Sequence, residues 1–187
     1  MLALLIIPVA VAVNFVGGQL AVILKLPCYL DAIGTVFGAI LCGPWVGATI
    51  GLLTNVVTGI ANPITFAFAP TSIALGFVTG LLSEKKMFSN IGKIIISLII
   101  MAFVSIIVSA PIIVLVYGGV TGGGPSVVTA MLMATGTNIW ASVIGSDGLF
   151  NALDRIIAFI ITYFIIKVIP DRTLIKFSCG EYYVKES

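Results

Sequence analysis

Apolar residues run along this chain in long blocks, and polar positions collect in the short gaps between them. Five apolar runs stand out, at residues 2–24, 30–61, 63–82, 92–117 and 148–169. A helix needs ~20 apolar residues to cross a bilayer, and fewer suffice where the bilayer thins. The run 30–61 is too long for one helix and breaks at "CGPWVG", where Pro44 cannot continue the hydrogen-bond ladder. It divides into helices near 30–43 and 45–61. The pattern predicts an all-α bundle of six transmembrane helices, forming a single integral membrane domain over 1–187.

A further stretch, "VVTAMLMATGTNIWASVIG" at 127–145, is apolar enough to suggest a seventh span. Charge decides against it, because Lys and Arg concentrate in cytoplasmic loops. Lys85, Lys86 and Lys93 form one cluster; Lys167, Arg172, Lys176 and Lys185 form another at the C-terminal end. An even number of crossings must separate the two, and 92–117 with 148–169 supplies two. Residues 118–147 are therefore expected to cap the outer mouth, with 127–145 extracellular or re-entrant and "GGVTGGGPS" as its hinge. Both termini fall in the cytoplasm, with a tail at 170–187.

Composition supports a lipid-facing exterior. Hydrophobic residues make up 60% and charged residues 9% of the chain, and nine Lys/Arg with seven Asp/Glu cannot cover a water-soluble domain. The net charge of +2 implies no nucleic-acid or acidic partner. Histidine is absent, and Cys28, Cys42 and Cys179 stand far apart, so neither a zinc site nor a disulfide framework is expected. No metal or cofactor is expected. "MLALLIIPVAV" lacks a basic leader region and reads as a span, not a signal peptide.

The polar residues inside apolar helices are the candidate chemistry. Asp147, Asn151 and Asp154 follow one stripe of the last span, with Arg155 four residues after Asn151. A charge at a helix centre costs ~2.5–3.5 kcal/mol on insertion scales, so such groups face the interior or water. Asn14, Gln19, Asn55, Asn62 and Asn138 could join them, and Tyr29, Phe66 and Trp140 could supply flat walls. A pocket with aromatic walls and a few directed polar groups suits a small polar organic molecule. Each of these residues also has a structural reading. Asp154 with Arg155 reads as an ion pair tying helices together, and each Asn as an interhelical hydrogen bond. Asp31 reads as a cap on the second helix, and Tyr29 and Trp45 as interfacial belt residues.

Glycines recur at small-xxx-small spacing in "GTVFG", "GPWVGATIG" and "GFVTG". They predict close helix packing within the bundle, or a face for a partner membrane protein. Neither a P-loop nor a dinucleotide fingerprint is present, so the chain carries no ATP site of its own.

The stretch "LKLPCYLDAIGTVFGAILCGPWVGATIGLLTNVVTGIANPITFAFAP", Leu24 to Pro70, resembles the substrate-binding S components of energy-coupling factor (ECF) transporters, the vitamin-uptake systems of bacteria. "GFVTGLL" and "LDRIIAFIITYFIIKVIPDR" add to the likeness, which covers nearly the whole chain. It implies a bacterial plasma-membrane subunit that binds one vitamin or precursor from outside. It further implies association with a membrane T subunit and two cytoplasmic ATPases, and toppling in the membrane to release the cargo. It points to Leu24–Leu30 as part of the pocket. Family members dock the T subunit through an Ala-xxx-Ala pattern near the inner end of the first helix. Here Ala3 is followed by Ile7 and Ala10 by Asn14, with Pro8 interrupting, which leaves Ala3 and Ala10 as the docking candidates.

The cargo is expected to be neutral or singly charged: pyridoxine, a hydroxymethyl-pyrimidine, pantothenate or riboflavin. Arg155 would suit pantothenate's carboxylate, and the aromatic walls a pyridine or pyrimidine ring. The competing readings are a stand-alone facilitator or channel and a structural membrane protein. An enzyme is not expected, because no nucleophile–base set is present.

Overall fold

Leu, Ile, Val and Phe side chains face outward over most of this molecule, and Ser, Thr, Asn and Asp lie inside it. The computed structural model describes residues 2–24, 26, 28–122 and 124–184, with side chains from residue 5 onward. In chain order the helices are α1 (Leu2–Ile23), α2 (Ile33–Cys42), α3 (Pro44–Ala61), α4 (Ala69–Glu84), α5 (Ile91–Tyr117), α6 (Gly124–Ala134), α7 (Ile139–Val168) and α8 (Asp171–Leu174). A 3-10 turn at Pro63–Phe68 leads into α4. Among the described residues there is no strand.

Five helical segments are long and apolar enough to cross a membrane: Leu5–Ile23, Pro44–Ala61, Pro63–Glu84, Ile91–Tyr117 and Ile139–Val168. The chain is therefore a multi-pass membrane protein. α1 runs unbroken through Pro8. The expected 30–43 helix is the short one, with only ten residues in α2. Residues 28–32 before it are an irregular connector. α2 has few lipid-facing positions, since eight of its ten residues are buried between its neighbours. Asp31 does not cap it: Ala32 occupies the N-cap, and no side-chain cap bond is made there.

The largest departure from the hydropathy pattern is α7. It begins at Ile139, not near 148, so the stretch expected as a re-entrant cap divides between α6 and the first turns of α7. Asn138 starts it by accepting the Trp140 N–H at 2.9 Å. Its inner face carries Ser142, Ser146, Asp147, Asn151, Asp154 and Arg155, all buried. Ser146 and Asp147 break the apolar run before 148 and the positive-inside count set 127–145 aside, so one 30-residue helix read as a cap plus a span.

Backbone contact through glycine brings α3 and α4 together, and sets α2 against α1 at Gly34. A Cβ at Gly47 would lie 2.5 Å from the Gly76 carbonyl oxygen, and one at Gly76 would collide with that of Gly47. Gly51 meets the Ser72 carbonyl, and Gly80 meets Pro44, in the same way. In lipid no hydrophobic drive brings helices together, so this close van der Waals approach carries the association. The α2–α3 turn needs Gly43, whose φ of +88° suits no L side chain.

The opposite side of the fold is organised by the C-terminal tail. Leu174 and Phe177 join a core that includes Ile40, Leu82, Phe88 and Phe159. Cys179 N–H donates to the Leu41 carbonyl at 3.0 Å. Ser83 Oγ donates to the Ile40 carbonyl at 2.7 Å and shares a 2.9 Å bond with the Tyr183 hydroxyl. The α2–α3 turn, the α4–α5 turn and the tail therefore meet at one end of the bundle. A cleft of about 140 Å³ lies there, lined in part by Phe159, Tyr163, Lys167, Asp171 and Tyr183.

Gly47→Leu is expected to lower the unfolding temperature in detergent by an amount worth at least ~1–3 kcal/mol of overpacking. Gly145→Ala, where a Cβ meets nothing within 4 Å, is the matched control and should leave it unchanged. Equal stability of the two variants would remove glycine packing as the basis of the bundle.

Candidate functional site

The connector between α1 and α2 is held in a conformation that its own sequence does not favour. Leu30 sits at φ +53°, in the left-handed region that a branched side chain occupies only at a cost of ~1–3 kcal/mol. Two contacts hold it there. On one side Gly17 of α1 lies directly beneath it, and a Cβ at Gly17 would collide with the Leu30 carbonyl oxygen. On the other, Asp154 Oδ1 accepts the backbone N–H of Tyr29 at 3.1 Å and of Leu30 at 2.8 Å. A carboxylate taking two backbone donors is a charge-assisted arrangement, roughly twice as strong per bond as a neutral one.

The rest of the α7 stripe continues from that latch. The Tyr29 hydroxyl donates to Asp147 Oδ1 at 3.0 Å, and Ser109 of α5 donates to Asp147 Oδ2. Asn151 Nδ2 donates to the Asp147 carbonyl at 2.9 Å, and its Oδ1 accepts Arg155 Nη2 at 3.1 Å. Arg155 Nη1 stands 3.5 Å from Asp154 Oδ2, close enough for an ion pair but too poorly aligned for a hydrogen bond. Asp154 is fully buried and Arg155 is 5% exposed. Asp154 Oδ2, Arg155 Nε and Arg155 Nη1 make no hydrogen bond among the described residues. Two ions this deep cost several kcal/mol each in desolvation, which their attraction repays fully only where the remaining hydrogen bonds are made.

The structure thus brings Tyr29, Asn151, Asp154 and Arg155 together, as the sequence suggested. Tyr29 serves as a hydroxyl donor there, beyond the flat wall expected of it. Asn14 is elsewhere in the network, fully buried between three helices. Its Nδ2 donates to Thr35 Oγ1 at 2.8 Å and Thr54 Oγ1 at 2.9 Å, and its Oδ1 accepts the Gly34 N–H at 2.6 Å. Asn55 is turned back on its own helix, onto the Gly51 carbonyl at 2.9 Å. Asn62 and Asn138 cap the 3-10 turn and α7. Phe66 covers Gly59. Trp140 is exposed, and Gln19 is half-buried on α1, two residues past Gly17. Of the docking candidates, Ala10 is buried, with its carbonyl against Gly34 of α2, and the Ala3 side chain lies outside the described residues.

Asp147, already marked by the stripe of the last span, belongs to this cluster, and Ser109 and Asp31, which were not among the expected site residues, adjoin it. Ser109 had a legible signal: Ser97, Ser105 and Ser109 fall on one face of an otherwise Ile- and Val-rich helix, and all three are buried. Asp31 follows Leu30 in the connector, with its Cβ 3.4 Å from where a Cβ on Gly18 would stand. Among the described residues no set of three ligating side chains is disposed to hold a metal ion.

Comparison with known proteins bears on what such a cluster serves. The family model for the ECF transporter, substrate-specific component, matches residues 2–166 of the chain. No curated protein and no solved structure matches it.

Asn14→Ala leaves two buried hydroxyls and a backbone N–H without their partner, at a cost of ~1–3 kcal/mol in stability. Thermal unfolding in detergent reads that loss, and an undiminished unfolding temperature would show that Asn14 holds nothing together.

Proposed function

This chain belongs to the ECF transporter substrate-specific component family, and from that premise we propose that it captures a small water-soluble vitamin or vitamin precursor at the connector–α7 cluster. As a family member it is the substrate-specific subunit of an importer, a transporter subunit and not an enzyme. Its proposed partners are a membrane T subunit and two cytoplasmic ATPases, and its proposed home is the bacterial plasma membrane.

The whole chain is taken as one membrane domain with six crossings, α2 and its connector together forming the second. Lys85, Lys86, Lys93, Lys167, Arg172 and Lys176 all belong to segments at the end where the tail meets the α2–α3 turn. The positive-inside rule makes that end cytoplasmic and the connector end external. The cluster then faces the side from which a vitamin arrives.

The observation that carries the reading is the latch: a strained connector held across a buried acid–base pair whose remaining donors and acceptor are free. A purely structural ion pair would be expected to satisfy its own atoms at that depth. Opening the latch releases two backbone N–H groups and exposes Asp154 and Arg155, which gives a route for entry and a set of groups to hold what enters. The carboxylate of Asp154 positions the connector, Arg155 and Asn151 form the polar floor, and Tyr29 supplies a ring and a hydroxyl. Ala10, being internal, leaves T-subunit docking to other small residues of α1.

A thermal-shift screen of the detergent-purified chain against water-soluble vitamins and precursors tests this. A ligand at a hundredfold excess over Kd stabilises the folded state by about 2.7 kcal/mol. One compound should give such a shift, and Asp154→Asn should reduce it. A well-folded sample silent to every compound would return the cluster to a structural role.

A further inference from the structure

The charge gathered around the connector narrows the cargo. Three carboxylates meet there, Asp147 and Asp154 from α7 and Asp31 from the connector, with Arg155 as their cation. Asp31 lies within electrostatic reach of both Asp154 and Arg155, and Asp147 within reach of Arg155. Of the other titratable groups between α1 and α2, Tyr29 and Cys28 are neutral at physiological pH, and Lys25 lies outside the described residues. Among the described residues three acids stand against one base, and Lys25 would reduce that negative excess without cancelling it. Arg155 is therefore already shared among carboxylates, and an incoming carboxylate would be a fourth acid competing for one guanidinium in a poorly screened interior.

The unpartnered atoms say what shape the missing partner has. Asp154 Oδ2 and Arg155 Nη1 face each other at 3.5 Å without a hydrogen bond, and Arg155 Nε makes none either, all of them buried. A ligand edge carrying one N–H or O–H donor next to one ring-nitrogen or carbonyl acceptor would satisfy both at once. An aminopyrimidine, a cyclic amide or a hydroxyalkyl pyridine presents such an edge. A bare carboxylate offers acceptors only and leaves Asp154 Oδ2 facing a like charge.

Resting on the binding role proposed above, we propose that the cargo is a neutral or cationic heterocycle whose donor–acceptor edge pairs with Asp154 and Arg155, and that carboxylate vitamins are refused. Arg155 is the cluster's counter-ion and a ligand donor, not an anion receptor.

The test is titration calorimetry and thermal shift of the full chain in detergent at neutral pH. One pyridine ring in three charge states forms the core of the panel: pyridoxamine, pyridoxine and pyridoxate. Thiamine and riboflavin extend it on the cationic and neutral side, and pantothenate, biotin and nicotinate on the anionic side. Binding confined to neutral or cationic compounds supports the proposal, provided Asp154→Asn weakens it roughly tenfold or more. Asp31→Asn, whose side chain lies outside the latch, should weaken a cationic ligand in the same direction and carries the test if Asp154→Asn does not fold. Binding of pantothenate, biotin, nicotinate or pyridoxate in preference to the others overturns the charge inference and leaves the binding role standing. A folded protein silent to the whole panel overturns both.

Discussion

Asp154 accepts two backbone N–H groups from a connector that has no helix or strand of its own to satisfy them. Within a lipid-embedded bundle, irregular backbone persists only where protein groups meet its donors and acceptors. The carboxylate therefore does for the connector what a hydrogen-bond ladder does for a helix, and does so from a fully buried position. Much else at that end follows from it. Arg155 offsets the charge, Asn151 orients Arg155, and Gly17 gives the connector room to lie flat on α1. Leu30 tolerates a left-handed backbone because both sides are held.

The same rule of internal satisfaction explains the second polar centre. Asn14 joins α1, α2 and α3 through two threonine hydroxyls and one backbone N–H. It is a closed unit, with donors and acceptor all used, whereas the α7 cluster is open, with three charged atoms unused. That contrast separates the polar group that builds the bundle from the cluster proposed above to meet a ligand. Between the two centres the helices touch backbone to backbone through glycine. α2 can therefore be short and almost wholly enclosed without a large apolar side chain on its α3-facing surface.

The basic end of the molecule is built on different physics. Its turns are tied by a tail whose Leu174 and Phe177 enter the main apolar core, and Lys86 and Lys167 lie over the rings of Tyr182 and Tyr163. Cations there rest on aromatic faces near water. At the other end, charge is buried and bonded. This polarity along one bundle suits a subunit that meets solute on one side and protein partners on the other.

Long apolar runs, the break at Pro44 and the glycine spacing were enough to predict an all-helical membrane bundle packed through small residues, because hydropathy and steric bulk act locally along the chain. Five of the expected spans are visible as long helices, and the likeness carried by Leu24–Pro70 pointed to the family. The grouping of Asn151, Asp154 and Arg155 was legible for the same reason: helical periodicity alone places them together. What the residues alone could not decide is which of several buried amides face the cluster. Asn14, Asn55, Asn62 and Asn138 look alike in sequence, yet each finds a different partner in space. Ser109, 38 residues from Asp147, is joined to it only by the packing of α5 on α7. The start of α7 at Ile139 was hidden because the inward-facing Ser146 and Asp147 interrupt the apolar run and the charge count set 127–145 apart from the spans. Hydrophobicity is a property of a segment, but the satisfaction of a polar group is a property of a pair, and only the tertiary structure supplies the second member.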